Sequence, residues 1–111
     1  MSGEFDGYRI LEAIYAVNEM AKHIKIVGYG TVSWNPADLG DGAGETSAGI
    51  TVAGAALGDF VLVAPPEDAI DCLFCGYVQA ANTVEIRIQN EATANLNLGA
   101  GTWKVLVLRL L

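Results

Sequence analysis

Positive charge is scarce in this 111-residue chain, and the side chains that most often do chemistry are scarcer still. Six Lys and Arg stand against 13 Asp and Glu, for a net charge of −7. The six bases are scattered as Arg9, Lys22, Lys25, Arg87, Lys104 and Arg109, whereas binding a phosphate backbone needs clustered cations to displace counterions. No nucleic-acid partner is therefore expected, and an acidic surface also repels anionic membranes. No run approaches the roughly 20 apolar residues of a membrane span. Met1 to Asp6 lacks the basic and apolar regions of a signal peptide, so synthesis and initial residence in a cytoplasm are expected.

His23 is the only histidine and Cys72 and Cys75 the only cysteines. A nucleophile–base–acid constellation needs an imidazole near a Ser, Thr or Cys, and His23 lies far along the chain from both thiols. Zinc would need two ligands beyond the Cys pair, and His23 is the only histidine. Cys72 to Val78 reads as a strand, in which residues three apart point to opposite faces, so the C-x-x-C spacing predicts two buried, inert thiols rather than a redox pair. Gly40 to Thr46 is glycine-rich but has Glu45 where a phosphate loop has lysine. Asp38, Asp41 and Glu45 offer oxygen ligands without the EF-hand or RTX spacing, so 35–45 is read as a flexible surface loop. Glu67, Asp68 and Asp71 follow Pro65-Pro66 and read as a solvated acidic loop. No enzyme, cofactor or metal is expected.

What the chain has in excess is apolar surface. Apolar residues make up 52% of it and charged residues 17%, against roughly 45–50% and about 25% in an average soluble domain. Self-association is the simplest way to cover the excess.

The sequence divides into a helical segment, 1–27, and a β domain, 28–111, expected to fold as one unit. Over about residues 4–25, Ile10, Ile14, Val17, Ala21 and Ile24 are spaced 4, 3, 4, 3, a heptad seam about two heptads long. Glu4 and Asp6 near its start and Lys22, His23 and Lys25 near its end suit the helix dipole. Leu11 and Tyr15 widen the stripe. Such a helix lies on its own sheet, gathers with copies of itself around an axis, or docks on another protein. Gly28 and Gly30 end the helical pattern.

From Gly30 to Trp34 onward, short apolar runs separated by Gly, Asn and Pro predict strands near 46–53, 59–64, 72–79, 83–89 and 102–110. Thr83 to Gln89 alternates, with one face apolar and the other wet. Lys104 to Leu111 does not: apolar side chains leave both faces, as in a strand covered on both sides. The fold class is mainly β, an antiparallel β-sandwich or jelly-roll-like domain preceded by an N-terminal α-helix. The interface candidates are Ile10, Ile14, Val17, Ala21, Ile24, Trp103, Leu106, Leu108 and Leu110. Trp34, Tyr77 and Trp103 could alternatively form a sugar-stacking platform, the signature of a carbohydrate- or receptor-binding module.

Gly54-Ala55-Ala56-Leu57-Gly58-Asp59, followed by an apolar strand ending in Pro65-Pro66, resembles a segment of small virion proteins of tailed bacteriophages. So do Tyr77 to Val84, Ile86-Arg87-Ile88 with Asn90, and Gly101 to Val105. The resemblance runs from about Thr46 to Arg109 and leaves the helix outside it. It implies a capsid decoration (cement) protein: a homotrimer seated on the capsid exterior, partnered by itself and the major capsid protein. A trimeric module of a fibre, collar or tail is the neighbouring possibility.

Overall fold

The computed structural model describes residues 3–111, with side chains described from Ile10 onward except those of Val17 and Met20. The chain runs through one helix, α1 (Gly3–Ala21), and seven strands: β1 (Ile24–Trp34), β2 (Gly44–Thr46), β3 (Ile50–Thr51), β4 (Phe60–Ala64), β5 (Cys72–Ala80), β6 (Thr83–Asn90) and β7 (Gly101–Leu110). The fold is mainly β and antiparallel. Two sheets pack on one another as a sandwich. One has the order β1-β7-β4; in the other, β5 pairs with one edge of β6 while β2 and β3 share the opposite edge.

The core lies between the sheets. Val84, Ile86 and Ile88 of β6 are fully buried and face Trp103, Val105 and Val107 of β7. The alternation of β6 holds as expected, with Glu85, Arg87 and Gln89 on the wet side. Glycines let the layers close: a Cβ at Gly76 would lie 2.5 Å from Val61 Cγ1, and one at Gly30 2.7 Å from Ile50 Cγ2. Gly28 and Gly30, expected to terminate the helix, therefore sit inside β1, where β1 crosses close over β3.

The helix ends earlier than its periodicity suggests. It stops at Ala21, and Ile24, expected as its last seam position, is the first residue of β1. The β-branched run Ile24–Val27 favours a strand, and Ile24 pairs with Leu110 across β1 and β7. Lys22 and His23 form the link, and the His23 carbonyl accepts the Leu111 N–H at 2.8 Å.

Three further local expectations change. The strand over 46–53 is two short strands, because at Ser47 the side chain enters the ladder: Ser47 Oγ accepts the Ile86 N–H at 3.0 Å while the Ser47 N–H donates to the Ile86 carbonyl. Segment 35–45 is pinned rather than loose. Leu39 is a core residue that exchanges backbone hydrogen bonds with Leu96, and Gly42 and Ala43 pair with the backbone of Asn90. Finally, Cys72 is buried but Cys75 is exposed, so the two thiols do point apart although only one is in the core. Burial, and then the neighbouring Asp71 carboxylate, push the Cys72 thiol up, which keeps it protonated and unreactive.

Candidate interaction surface

The outer faces of the two sheets differ in chemistry. On β5 and β6, Tyr77 donates its hydroxyl to Glu85 at 2.8 Å, and Arg87 donates to Thr46 Oγ1 at 3.1 Å. That face is a wet, hydrogen-bonded surface, and the Glu85 carboxylate pushes the Tyr77 phenol up. A shallow depression of about 470 Å³ lies on it, lined by Leu73, Cys75, Arg87 and Gln89.

On the β1-β7-β4 sheet, the antiparallel register sets residues in rows across three strands: Ile26–Leu108–Phe60, then Tyr29–Leu106–Leu62, then Thr31–Lys104–Ala64. A bulge between Ile26 and Gly28 keeps Ile26 on the same side as Tyr29. The inward neighbours Val105, Val107, Val61 and Val63 pack on the core, so β4 and β7 are apolar on both faces. Tyr29 is 79% exposed, Leu62 55% and Leu110 66%. A shallow groove of about 380 Å³ runs over this face beside Tyr29, Leu62, Lys104 and Leu106. None of the 13 acids lies on β1, β4 or β7.

The helix supplies the second uncovered surface. Ile10, Leu11, Ile14 and Tyr15 are all exposed, Ile14 at 51%. The first sheet does not cover them. α1 leaves the sandwich end to end with β1, and the molecule spans 60 × 34 × 21 Å, about one ten-residue strand plus one 19-residue helix laid in line. Its radius of gyration, 18.8 Å, far exceeds the roughly 13 Å of a compact chain of this length.

Among the candidate interface residues, Ile10, Ile14 and Ala21 lie on the exposed helix, and Ile24 on β1 where helix and sheet meet. The Val17 side chain lies outside the described residues. Leu106, Leu108 and Leu110 lie on the outer sheet face. Trp103 must be corrected: it is 1% exposed and belongs to its own core, because β7 alternates and odd-numbered positions from 103 to 107 point inward. Ile26, Tyr29, Phe60 and Leu62 join the surface without having been anticipated. The signal available for Phe60 and Leu62 was Phe60-Val61-Leu62-Val63-Ala64, an unbroken apolar run like that of β7; Ile26 and Tyr29 become part of the surface only through the pairing of β1 with β7.

Trp34, Tyr77 and Trp103 do not form a common platform. Trp34 packs on Trp103 with ring centroids 5.3 Å apart and donates its indole N–H to Glu45 at 2.9 Å, while Tyr77 stands on the other sheet. Glu45 also accepts the Ala37 N–H at 3.3 Å, so its carboxylate is a structural anchor. Asp68 is likewise engaged, accepting the Ile70 N–H at 2.8 Å. Among the described residues no group of three His, Cys, Asp or Glu could hold a metal ion, and no helix is long and apolar enough to cross a membrane.

At the helix-proximal end, Arg109 clamps Asp59 through two bonds of 2.8 Å and also donates to the Gly54 carbonyl at 2.9 Å. The Arg109 guanidinium, and then the Ala56 N–H, hold the Asp59 carboxyl below its usual range. A depressed carboxylate contributes stability above its unfolded pKa and loses that contribution as pH falls through the folded value. Wild-type protein is therefore expected to lose more thermal stability on acidification below the ordinary carboxylate range than Asp59→Asn, with melting scans against pH as the check.

Comparison with protein-family models, with curated proteins and with solved structures returns no match to this chain.

Proposed function

We propose that this chain is a structural assembly protein: a capsid decoration protein that forms a homotrimer, binds the outer surface of a phage head and stabilises it by bridging capsid subunits. One observation carries the assembly part, the pairing of an uncovered apolar helix with an uncovered apolar sheet face on an otherwise acidic chain. Nine large apolar side chains on these two surfaces are more than half exposed. At about 100 Å² each, the four on the helix and the five on the sheet form two patches of roughly 400 and 500 Å², each the size of the largest patch on a typical monomer, so the chain carries two where one is usual. The capsid address rests on the resemblance of residues 46–109 to phage virion proteins, and the acidity suits an outer rather than a DNA-facing surface. A protein that binds only the assembled shell raises that shell's stability by mass action, without chemistry.

The projecting helix also suits a trimeric module of a fibre, collar or tail. Electron microscopy of the virion separates the two: decoration predicts regular density over the head, whereas density confined to a vertex or tail supports the second reading. Placing one charge in the apolar helix tests assembly itself. Ile14→Asp should weaken self-association at least a hundredfold, because an unpaired carboxylate cannot be buried cheaply. It should leave the melting of the sandwich within about 0.5 kcal/mol of wild type, since Ile14 touches none of it. Sedimentation equilibrium and a thermal scan read the two halves of that expectation.

A further inference from the structure

We infer that the outer face of the β1-β7-β4 sheet is the seat for α1 of a second copy of this chain, so that the assembly forms by helix exchange. The inference deepens the self-association reading above and rests on it.

Four observations select this occupant. First, the dimensions agree: α1 has 19 residues and β7 has ten, about 28 Å of helix against about 34 Å of strand. Second, the apolar side chains of the helix occupy roughly half its circumference, from Ala13 through Ile10 and Ile14 to Leu11 and Tyr15, interrupted by Asn18 alone and with Glu12 and Glu19 behind them. A coiled-coil seam uses a narrower stripe and would leave Leu11 and Tyr15 wet; a sheet face covers the whole arc. Third, the helix does not lie on its own sheet but projects from it, leaving Ile10, Leu11, Ile14 and Tyr15 exposed. Only Lys22 and His23 separate it from β1, and the Leu111 N–H bonded to the His23 carbonyl pins that link. Fourth, the seat carries no acid, so an incoming helix from a chain of charge −7 meets no like charge there.

Each copy then gives one helix and receives one. Where the rotation between neighbours closes, head-to-tail donation of this kind forms a ring, as in the proposed trimer, and leaves neither surface over. A helix face laid on a sheet face removes roughly 900 Å² of large apolar side-chain area at each seam, before polar and smaller groups are counted, close to the ~1,000 Å² that a specific interface clears.

The test is disulfide trapping in a Cys75→Ser background, where the remaining native thiol is buried. Two single variants, Ile14→Cys and Leu62→Cys, are co-expressed with different tags and oxidised, so that a 14–62 disulfide can form only between copies. Both positions are exposed, which leaves the sandwich intact. The expected product is the mixed 14–62 dimer, formed at least tenfold more than when Glu12→Cys replaces Ile14→Cys, because Glu12 lies about 160° away around the helix. Dominant 14–14 dimers would overturn the exchange in favour of a helix–helix seam. Dominant 62–62 dimers, or an assembled protein that forms no 14–62 product, would overturn it as well. Light scattering on the same samples separates the two failures: a monomer sinks self-association altogether, whereas an oligomer lacking the 14–62 product sinks only the exchange.

Discussion

Asn90→Ala is expected to cost about 4 kcal/mol of folding free energy, a large share of the 5–15 kcal/mol that holds a small domain together. Asn90 is fully buried at the end of β6. Its side-chain amide donates to the carbonyls of Leu39, Gly40 and Ala94 at 2.9, 3.1 and 2.9 Å, and its carbonyl accepts the Ala92 N–H at 2.7 Å. The backbone of the same residue pairs with Gly42 and Ala43. One residue therefore ties segment 39–43 to segment 92–94. The Leu39 and Gly40 carbonyls also accept the Leu96 and Ala43 N–H groups, so alanine removes the partners only of the Ala94 carbonyl and the Ala92 N–H. The penalty comes from the four lost bonds together with the cavity left at a fully buried position. Asn90→Asp should be worse at neutral pH, since a carboxylate would face three carbonyl oxygens and repel them. It should recover partly on acidification, when the protonated acid can donate again. Urea unfolding at two pH values checks both points; a loss under 1 kcal/mol for Asn90→Ala would mean that the two segments hold without the clamp.

Trp103→Ala should cost about 3–5 kcal/mol, the range for deleting a large buried aromatic. Trp103 packs against Trp34 at 5.3 Å and edge-on against Phe74 at 6.0 Å. Its location decides the readout. A core residue lowers the unfolding midpoint of the chain at every protein concentration, whereas an interface residue lowers the apparent affinity between copies and leaves the isolated fold alone. Core behaviour is expected here. Trp103→Phe should be much milder, about 1–2 kcal/mol, because among the described residues the buried indole N–H has no acceptor and phenylalanine removes that unpaired donor. If Trp103→Ala instead dissociates an assembly without changing the unfolding midpoint, the placement of this ring is wrong.

These two residues mark what was legible in the sequence. The β architecture was readable because strand alternation is a local signal: Thr83 to Gln89 shows its faces residue by residue, and the doubly apolar β7 announces a sheet whose outer side is not wet. Trp103 was misassigned because an aromatic in a two-faced strand carries no local mark of which face it takes; that follows from the register with β1 and β4. Asn90 read only as a turn signal, since its partners at 39–40 and 92–94 come together through tertiary structure. The helix boundary failed for a related reason. Ile24 continues the 4, 3, 4, 3 spacing, but pairing with Leu110 across the sheet outweighs the periodicity.

The uncovered surface was legible in part. Composition revealed an apolar excess, and the heptad spacing located half of it on the helix. The two-faced apolar run of β7 located Leu106, Leu108 and Leu110; the rest of the sheet patch needed the sheet order, because Tyr29, Leu106 and Leu62 become neighbours only when β7 lies between β1 and β4. The lack of carboxylates on this sheet became a feature of one surface only through the sheet order, because β3 and β5 also lack Asp and Glu and the three strands lie far apart in the chain.

Assembly through the helix and one sheet face is open to multi-angle light scattering of the full chain beside a variant lacking residues 1–21, both at micromolar concentration. A trimer is expected for the full chain and a folded monomer for the shortened one, which keeps β1 through β7 intact. A full chain that is monomeric, or a shortened chain that remains a trimer, would contradict it.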